Sequence, residues 1–208
     1  MPSPIPLFLA TRNTHKTSEI QTILGTSVAV VDATSFPELP EIEETGTTFE
    51  ANARLKAEGI SQHVPGWVLA DDSGLEVDAL AGEPGIYSAR YGGPGCTDLQ
   101  NTERVLQKMS DIPANQRTAR FRCVLAIARD GNTEATFDGT IEGRLTSEIN
   151  GAGGFGYDPI FIPEGYEKSF GELPSALKNS MSHRARALEL FRTWWEQRNC
   201  SSPSGDKQ

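Results

Sequence analysis

The sequence predicts a mixed α/β fold in which a long antiparallel hairpin is added to a nucleotide-fold-like start. Three observations lead to this prediction. An apolar run at residues 5–10 precedes a helical pattern, two strand-like segments flank a turn at residues 130–132, and an amphipathic helix ends the chain. The 208 residues are enough for one domain with a sizeable core, which we place at residues 1–200. The polar residues 201–208 are expected to form a disordered tail.

The first elements alternate between strand and helix. Residues 5–10 predict a buried strand, and residues 28–31 predict a second one. Between them, Asn13 suits a helix N-cap and Gly25 suits the C-terminal stop of that helix. The apolar side chains that share one face of this helix are Ile20, Ile23 and Leu24.

The next region predicts a capped helix and an interrupted strand. Thr47 as N-cap and Glu50 reaching back to it would form a capping box. The apolar face of the helix that follows is formed by Phe49, Ala53, Ala57 and Ile60. Residues 67–70 then predict a strand, which an acidic turn at residues 71–74 cuts off. Apolar alternation resumes at residues 75–80.

The second half of the chain predicts two more helices around a hairpin. Residues 98–109 have a helical pattern of apolar positions. Residues 118–128 and 133–141 read as two long strands, and the turn formers at residues 130–132 join them. Ser182 can cap a last helix. The inward face of that helix would contain Ala185, Leu188, Phe191 and Trp195.

Charge and cysteine content limit the classes of function. The formal net charge of −9 disfavours a long nucleic-acid footprint, which requires a basic face, but it allows a small phosphate ligand. The three cysteines are odd in number and lack metal-ligand spacing, which favours a reduced, cytoplasmic compartment. Residues 1–6 lack the features of a signal peptide, and no run of about 18 apolar residues could span a membrane. We therefore expect neither a nucleic-acid partner nor a membrane partner.

The first candidate site is the polar segment at residues 11–16, between the first strand and the first helix. Helix N-termini present free N–H groups and a partial positive charge, so they bind phosphate. Thr11 and Asn13 would add side-chain donors, and Lys16 would add a point charge. The alternative is an ordinary helix cap with exposed polar residues. The chain contains no G-x-x-x-x-G-K-[ST] sequence, so the segment is not a P-loop.

The second candidate site consists of two acidic pairs. Glu43 and Glu44 precede a predicted helix by a few residues. Asp71 and Asp72 lie at the carboxyl end of a predicted strand, where α/β sheets gather ligands. Adjacent carboxylates there are costly unless a cation or solvent compensates them, and magnesium prefers carboxylate oxygens together with phosphate and water. The alternative is that acidic residues simply favour helix starts and turns.

The third candidate site is the glycine-rich loop at residues 149–156. Residues 151–156 fit G-x-G-x-x-G, the dinucleotide fingerprint, but that fingerprint must open a helix. Here Pro159 follows and directs Asp158 towards extended geometry, so we reject the match. A glycine-rich loop that ends in aromatic side chains better suits a flat ligand such as a nucleobase. The alternative is a flexible loop with Phe155 in the core.

The fourth candidate site surrounds the start of the last helix. Lys178, His183 and Arg184 are three potential cations within seven residues of an acidic chain. They could donate hydrogen bonds to phosphate or to a purine carbonyl. The alternative is a structural role, since a histidine near a helix cap is more often structural than ligand-binding.

Six segments, in this order and spacing, resemble the non-standard purine nucleoside triphosphate pyrophosphatases, the inosine triphosphate pyrophosphatase-like or dITP/XTP pyrophosphatase family. The resemblance extends from about residue 7 to residue 192, and the six segments together are far more specific than any one. The segments are ATRNTHK at 10–16, EETGTTF at 43–49, ADDSGL at 70–75, PGIYSARY at 84–91, GGFGYDP at 153–159 and SHR at 182–184.

The resemblance implies an α/β fold with a mixed central sheet flanked by helices in two lobes, a substrate groove between the lobes, and a homodimer. It also implies magnesium-dependent hydrolysis of ITP, dITP and XTP to the monophosphate and pyrophosphate, which cleanses the nucleotide pool. It names Asp72 as general base and metal ligand, with Glu44 or Glu43 as a further ligand and a slight preference for Glu44.

The same resemblance assigns the substrate contacts. The phosphate contacts would come from Thr11, Arg12, Asn13, Thr14, His15 and Lys16. Ser73 and Lys56 would also contact the substrate. The base pocket would be formed by Phe155, Gly156, Tyr157, Asp158, Lys178, His183 and Arg184. One departure is Arg12, which stands where many members have glycine; its side chain could point outward or add a phosphate contact.

Three other functions compete with this one. A pyrophosphatase of related fold acting on modified pyrimidine or methylated nucleotides would share the phosphate site and differ in the base pocket. A nucleotide sensor without turnover gains little from the acidic pair Asp71 and Asp72, because carboxylates repel a triphosphate unless a metal is present. A dinucleotide dehydrogenase is supported only by residues 151–156.

Overall fold

A six-stranded mixed sheet in the order β2-β1-β3-β4-β5-β6 runs through the molecule. The structure is a computed structural model that describes residues 5–26 and 28–200. Its strands are β1 (Ile5–Leu9), β2 (Val28–Asp32), β3 (Trp67–Val77), β4 (Thr118–Arg129), β5 (Asn132–Leu145) and β6 (Phe161–Pro163). Its helices are α1 (Thr14–Leu24), α2 (Phe49–Ser61), α3 (Asp98–Lys108), α4 (Ser175–Met181) and α5 (His183–Cys200). The predicted mixed α/β class is confirmed, and the predicted tail at 201–208 lies outside the described residues.

The predicted turn at residues 71–74 is wrong, because β3 continues through it. Strand β1 pairs in parallel with β2 and with the start of β3, from Leu7↔Trp67 to Leu9↔Leu69. Beyond the end of β1, β4 pairs with β3 in antiparallel register as far as Val77↔Ala119, which satisfies the backbone of the acidic segment. The acidic pair therefore lies inside a strand, just past the carboxyl end of its neighbour β1.

The helices cover the two faces of the sheet. Helices α1 and α5 pack on one face, where Leu9, Ile20 and Phe191 belong to one core cluster. Helix α2 packs on the other face through the predicted residues Phe49, Ala53, Ala57 and Ile60. A third core cluster contains residues from the end of β3, the start of β4, the end of β5 and α3. It lies beyond the acidic segment of β3, apart from the two clusters that pack against α1, α5 and α2. That cluster includes Leu75, Val105, Phe121, Ile141 and Phe161.

The helix caps follow the sequence except at α2. Asn13 caps α1, Gly25 ends it with φ 69°, and the Ser182 hydroxyl accepts a hydrogen bond from Ala185 N at 3.2 Å at the start of α5. At α2 the N-cap is Thr48 rather than Thr47, and its hydroxyl accepts from Ala51 N at 3.1 Å. The one-residue error arose because adjacent threonines offer the same chemistry.

The predicted hairpin is confirmed. Its turn residues Asp130 and Gly131 have positive φ values of 51° and 80°, as a two-residue turn between twisted strands requires. The short elements β6 and α4 were not predicted, since each is too short to show a period. Within the described part of the chain, no helix is both long and apolar enough to cross a membrane.

Candidate active site

Residues 11–16 form a tightly capped turn at the carboxyl end of β1. Asn13 Oδ1 accepts from His15 N at 3.0 Å and from Lys16 N at 3.2 Å, and Thr11 Oγ1 accepts from Asn13 N at 3.1 Å. These backbone donors are therefore satisfied within the segment, contrary to the free N–H groups that the sequence suggested. Lys16 Nζ lies 2.5 Å from Asp71 Oδ1, which fixes the lysine against the sheet. The segment thus presents mainly side chains to a ligand.

Arg12 departs from the other residues of this turn. Its side chain is exposed, and its guanidinium donates to the carbonyl oxygen of Leu39 at 2.9 Å. It also lines a cleft that the turn shares with the loop at residues 40–44. The arginine therefore connects the turn at residues 11–16 to the loop that leads to Glu43 and Glu44. Both the turn and this loop contribute residues to the cleft wall.

A second cluster lies where β3 passes the end of β1. Lys56 Nζ, from α2, contacts Glu44 Oε1 at 2.7 Å, Asp72 Oδ1 at 2.9 Å and the Asp71 carbonyl oxygen at 2.9 Å. Arg90 holds the other oxygen of Glu44 at 3.0 Å. Glu43, in contrast, is exposed on the cleft wall and lies outside this cluster. The structure thus brings Glu44, and not Glu43, to Asp72 and Lys56.

The two carboxylates of this cluster differ in acidity. Burial raises the pKa of Glu44, but the charge and hydrogen bonds of Lys56 and a hydrogen bond from Arg90 outweigh burial and hold the pKa at about 2. Burial raises the pKa of Asp72, with a further contribution from the charge of Glu44, despite the opposing effects of Lys56 and Lys16. Among the described residues, Asp72 Oδ2 has no hydrogen-bond partner although it is buried. Asp72 is therefore the more basic group and has a lone pair free for a ligand.

Asp71 is the buried centre of the site, a role that the sequence did not reveal. Its carboxylate accepts from Lys16, from Ser73 Oγ at 2.8 Å and from Arg184 Nε at 2.8 Å, and Cys123 Sγ lies 3.2 Å away. Burial raises its pKa, but Arg184 and Lys16 together hold the pKa well below its usual range. Asp71 is thus a permanent anion that links the turn at residues 11–16 to the start of α5.

Glu19 extends this ionic network and was also missed. It lies three residues after Lys16 on α1, with Oε2 2.5 Å from Arg184 NH1 and Oε1 2.7 Å from Lys178 Nζ. Lys178 Nζ in turn lies 2.5 Å from Asp158 Oδ2. A continuous chain of buried ion pairs therefore runs from Lys16 to Asp158. The sequence signal available for Glu19 was its position on the same helical face as Lys16.

The glycine-rich loop places Phe155 beside these cations. The Phe155 ring stacks on the exposed His15 ring with centroids 5.3 Å apart, and Lys178 Nζ lies 4.8 Å from the Phe155 centroid. Asp158 Oδ2 accepts from Phe155 N at 2.9 Å. Burial raises the Asp158 pKa, with a further contribution from the charge of Glu19, despite the opposing effect of Lys178. A Cβ on Gly154 would lie 2.0 Å from Asp158 Oδ2, so only glycine allows the Asp158 carboxylate to approach the loop this closely.

Two residues assigned to the base pocket have contacts within the fold. Tyr157 is buried in the third core cluster, and its hydroxyl donates to the Ser88 carbonyl oxygen at 2.7 Å. His183 is buried and stacks on Phe121 with centroids 4.8 Å apart. Burial, Arg184 and Lys178 hold the His183 pKa well below its usual range, so the ring is neutral. Its Nδ1 has no hydrogen-bond partner among the residues that the structure describes.

Some of these groups line a cleft of about 720 Å³. Its walls include Thr11, Arg12, Asn13 and Lys16 of the turn, the loop at residues 40–44, Lys56, Asp71 and Arg90. Phe155, Lys178, His183 and Arg184 do not line it; they lie beyond Asp71, on the side of the ionic network. Thr14 is exposed, and Gly156 N donates to Asp98 Oδ2 at 2.8 Å. The site thus has a polar cleft and, next to it, a buried cation cluster beside an aromatic ring.

Glu44, in the cleft wall, and Asp72, next to it, fit a magnesium ion that a bound phosphate would complete. Within the described ranges, no group of three or more histidine, cysteine or acidic side chains is arranged to hold a metal. Magnesium needs only one or two protein carboxylates when phosphate and water supply the other ligands. Asp72 Oδ2 is a buried oxygen for which the described part of the chain supplies no partner, and Glu44 is an ionised carboxylate on the same lysine. This donor set suits magnesium.

Comparison with known proteins identifies the family. The family model of the Ham1 family matches residues 7–194. A dITP/XTP pyrophosphatase of Oceanobacillus iheyensis is 47% identical over 190 residues, which cover 90% of this chain and 96% of that protein. A dITP/XTP pyrophosphatase of Halalkalibacterium halodurans is 47% identical over 187 residues, which cover 89% and 96%. The Staphylococcus aureus Ham1 protein structure superimposes with a TM-score of 0.82 at 38% identity, covering 93% of this chain and 99% of that one. This chain therefore belongs to the Ham1 family.

Proposed function

We propose that this protein hydrolyses non-standard purine nucleoside triphosphates, such as ITP, dITP and XTP, to the monophosphate and pyrophosphate. The relatives with about half of their residues identical are named for this activity. The structural observation that carries the proposal is the position of Asp72: a buried carboxylate with a raised pKa and one oxygen without a partner among the described residues, beside the cleft. Such a group suits proton abstraction from water next to a phosphate.

The cleft is the proposed triphosphate site. Lys16 and Lys56 face it as cations, and Thr11 and Asn13 add polar side chains to its wall. Because the first-turn N–H groups are already capped, charge from the lysines supplies more of the phosphate binding than the helix terminus does. Ser73 Oγ, which donates to Asp71 and accepts from Arg184 NH2, stands between this site and the cation cluster.

Asp72 and Glu44 are the residues that would hold magnesium. A bound magnesium ion would neutralise negative charge on the phosphates and on the departing pyrophosphate. Glu44 suits this role because its low pKa keeps it ionised at neutral pH. Lys56, which contacts Glu44 at 2.7 Å and Asp72 at 2.9 Å, would offset the repulsion between the two carboxylates and keep them close together and oriented. Glu43 is proposed to contribute charge to the cleft wall and not a direct metal bond.

Asp72 is the proposed general base. It would accept a proton from a water molecule as the water oxygen attacks the α-phosphorus, while the bond from that phosphorus to the bridging oxygen breaks and pyrophosphate leaves. An ordinary aspartate is a weak base, and the pKa-raising effect of burial reduces that mismatch. Lys16 would hold the phosphates in place during the attack.

The cation cluster is proposed to read the purine. A 6-oxo group accepts hydrogen bonds, whereas the 6-amino group of adenine carries donors. Lys178 and Arg184 are donors beside the Phe155 ring, on which a flat base would stack in place of His15. A buried donor that meets an amino group can cost about 10⁴ in specificity. Neutral His183 would make a further contact with the base through Nδ1, for which the described residues supply no hydrogen-bond partner.

We also propose that the protein acts as a homodimer in the cytoplasm, without a nucleic-acid partner. The net charge of −9 supports the last point, since it disfavours binding to a polyanion. Exposed Tyr87 and Leu99, on two elements that pack against each other, supply apolar surface of the kind that subunit interfaces bury. Light scattering of the purified chain tests the dimer.

Hydrolysis of ITP in water labelled with oxygen-18 tests the reaction itself. Attack at the α-phosphorus places the label in the monophosphate and leaves pyrophosphate unlabelled. Label in pyrophosphate or in orthophosphate would contradict the proposed bond cleavage. The Asp72→Asn variant under the same conditions should form labelled monophosphate far more slowly, because it lacks the base.

A further inference from the structure

Arg90 lines the same cleft as the turn at residues 11–16 and belongs to the PGIYSARY segment, which has no assigned role in the proposed reaction. We propose that Arg90 binds the terminal phosphates of the substrate, and the pyrophosphate product, by exchanging Glu44 for a phosphate. The proposal rests on the proposed function for the identity of the substrate.

The backbone that presents Arg90 is firmly anchored. Residues Gly85–Arg90 form a 3₁₀ segment, here called the Arg90 arm, which packs against β3 directly after the acidic pair. Ser88 Oγ accepts from Leu75 N at 2.9 Å and donates to the Gly85 carbonyl oxygen at 2.6 Å. Asn101 Nδ2 donates to the Ala89 carbonyl oxygen at 3.2 Å. Hydrogen bonds at Ser88 and Ala89 therefore fix the backbone of the arm immediately before Arg90.

Gly74 lets the Arg90 arm approach the strand. A Cβ at this position would lie 2.4 Å from both the Gly85 carbonyl oxygen and Ser88 Oγ, so no larger residue fits without moving the arm. Tyr157 holds the arm from the other side through its hydrogen bond to the Ser88 carbonyl oxygen. These contacts explain the use of Gly74 and Tyr157 and place Arg90 within reach of Glu44.

The guanidinium of Arg90 has donors to spare. Its one hydrogen bond within the described residues is from NH1 to Glu44 Oε2 at 3.0 Å, and a guanidinium has five N–H donors. The side chain is 41% exposed, and its guanidinium carbon lies 5.5 Å from the Tyr87 ring centroid, which limits its freedom. It is thus a partly ordered cation that faces the cleft with most of its donors unused by the described residues.

Glu44 connects Arg90 to the chemistry. Lys56 holds one oxygen of Glu44, and Arg90 holds the other. A divalent cation that takes a Glu44 oxygen competes with Arg90 for the same carboxylate. An arginine released in this way would face a phosphate, and phosphate fits the planar guanidinium in a bidentate manner. Lys16 and Lys56 remain tied to buried carboxylates, whereas the Arg90 partner Glu44 is partly exposed and is also held by Lys56, so Arg90 can change its partner more readily than either lysine.

Binding of inorganic pyrophosphate, in chelator and without turnover, tests the proposal in the full-length chain by calorimetry. Arg90→Gln should weaken pyrophosphate binding about 10-fold or more, as loss of a charge-assisted contact does. Arg90→Lys should weaken it less. Arg54→Gln serves as the matched control, because Arg54 is an exposed arginine on α2 with only exposed or half-exposed acidic partners. Its affinity for pyrophosphate should stay within twofold of wild type. The same Arg90→Gln change should raise the ITP KM while leaving kcat within about threefold.

Glu44→Gln separates binding by Arg90 from a merely structural role. If Arg90 binds phosphate, Glu44→Gln frees it, so pyrophosphate should bind at least as tightly in chelator as to wild type. Adding Arg90→Gln to that variant should then lose the full factor of about 10. Pyrophosphate affinity within twofold of wild type in a folded Arg90→Gln protein would overturn the proposal. So would equal weakening by Glu44→Gln and Arg90→Gln. Failure of wild type to hydrolyse ITP would contradict the proposed function, yet the pyrophosphate binding would still decide the role of Arg90.

Discussion

Lys56 Nζ lies 2.9 Å from Asp72 Oδ1, while Asp72 Oδ2 is buried and has no partner among the described residues. One oxygen is thus fixed by the lysine, and the other is the one that we propose takes up a ligand. The lysine also contacts Glu44, so one cation from α2 positions both carboxylates of the proposed metal site. The chemistry of the cleft depends on this arrangement.

Asp72→Asn tests the general base. The amide keeps the shape of the side chain but cannot accept a proton at neutral pH, so kcat for ITP should fall by about 10³ with little change in nucleotide binding. Steady-state kinetics and equilibrium binding of ITP in chelator provide the two measurements. Asp138→Asn, an exposed aspartate paired with Arg122, is the control and should retain activity. A kcat within threefold of wild type in Asp72→Asn would exclude the role.

Arg184→Lys tests the reading of the purine. Alanine at this position would remove one of the two cations that pair with each of Asp71 and Glu19, so lysine is the cleaner change. A lysine keeps the charge but cannot reach Asp71, Glu19 and Ser73 together, and the ratio of kcat/KM for ITP over ATP should fall at least about 10-fold. Arg186→Lys, whose guanidinium contacts only the Thr140 carbonyl oxygen among described residues, should leave the ratio unchanged. An unaltered ratio in Arg184→Lys would refute the assignment.

Glu19→Gln tests the ionic network through the pH dependence of stability. Burial raises the Glu19 pKa, but the combined effect of Arg184 and Lys178 in the opposite direction is larger. The folded-state pKa therefore lies below the ordinary value of 4.5. A carboxyl with a depressed folded pKa stabilises the fold above its unfolded pKa and loses that contribution as the pH falls. Glu19→Gln should therefore reduce the free energy of unfolding by about 2 kcal/mol at pH 7.

The difference in the free energy of unfolding between wild type and Glu19→Gln should become smaller below pH 4.5, where the wild-type carboxyl begins to lose its charge. Urea unfolding at several pH values measures it. Glu50→Gln, at a largely exposed position on α2, should show almost no difference at any pH. A Glu19→Gln difference that widens as the pH falls would contradict the sign of the effect.

Gly139→Ala tests the packing of α5 on β5. A Cβ at Gly139 would lie 2.1 Å from the His183 carbonyl oxygen and 2.5 Å from Ala187 N, so the helix that carries Arg184 must shift. The expected loss of stability is about 3 kcal/mol. Gly66→Ala is the matched control, because its Cβ meets open space and only its φ of 91° is unfavourable, at about 1 kcal/mol. Equal losses in the two variants would show that the helix is not held by this contact.

Local patterns in the sequence predicted most of the elements and pointed to the turn at residues 11–16 and the acidic pairs, whereas Lys56 was assigned only through the family resemblance and Arg90 was not assigned. The hairpin, the Asn13 cap and the inward face of α5 each depend on residues close together in the chain. The turn predicted at residues 71–74 failed because aspartate, serine and glycine are turn formers, whereas pairing with β4 makes them a strand.

The ionic network was beyond local reasoning. Asp71 is buried because Arg184, 113 residues away, compensates its charge. Glu19 reads from the sequence as a polar helix residue, and only the fold brings Lys178 and Arg184 to it. Long-range ion pairs leave no period in the sequence, so the connection between the two parts of the site appears only in three dimensions.

Pyrophosphate release from ITP, XTP, GTP and ATP, with magnesium and with chelator, tests the central claim most directly. The account predicts fast release from ITP and XTP, slow release from GTP and ATP, and loss of activity in chelator. Release from none of the four nucleotides, or equal release from ITP and ATP, would contradict it.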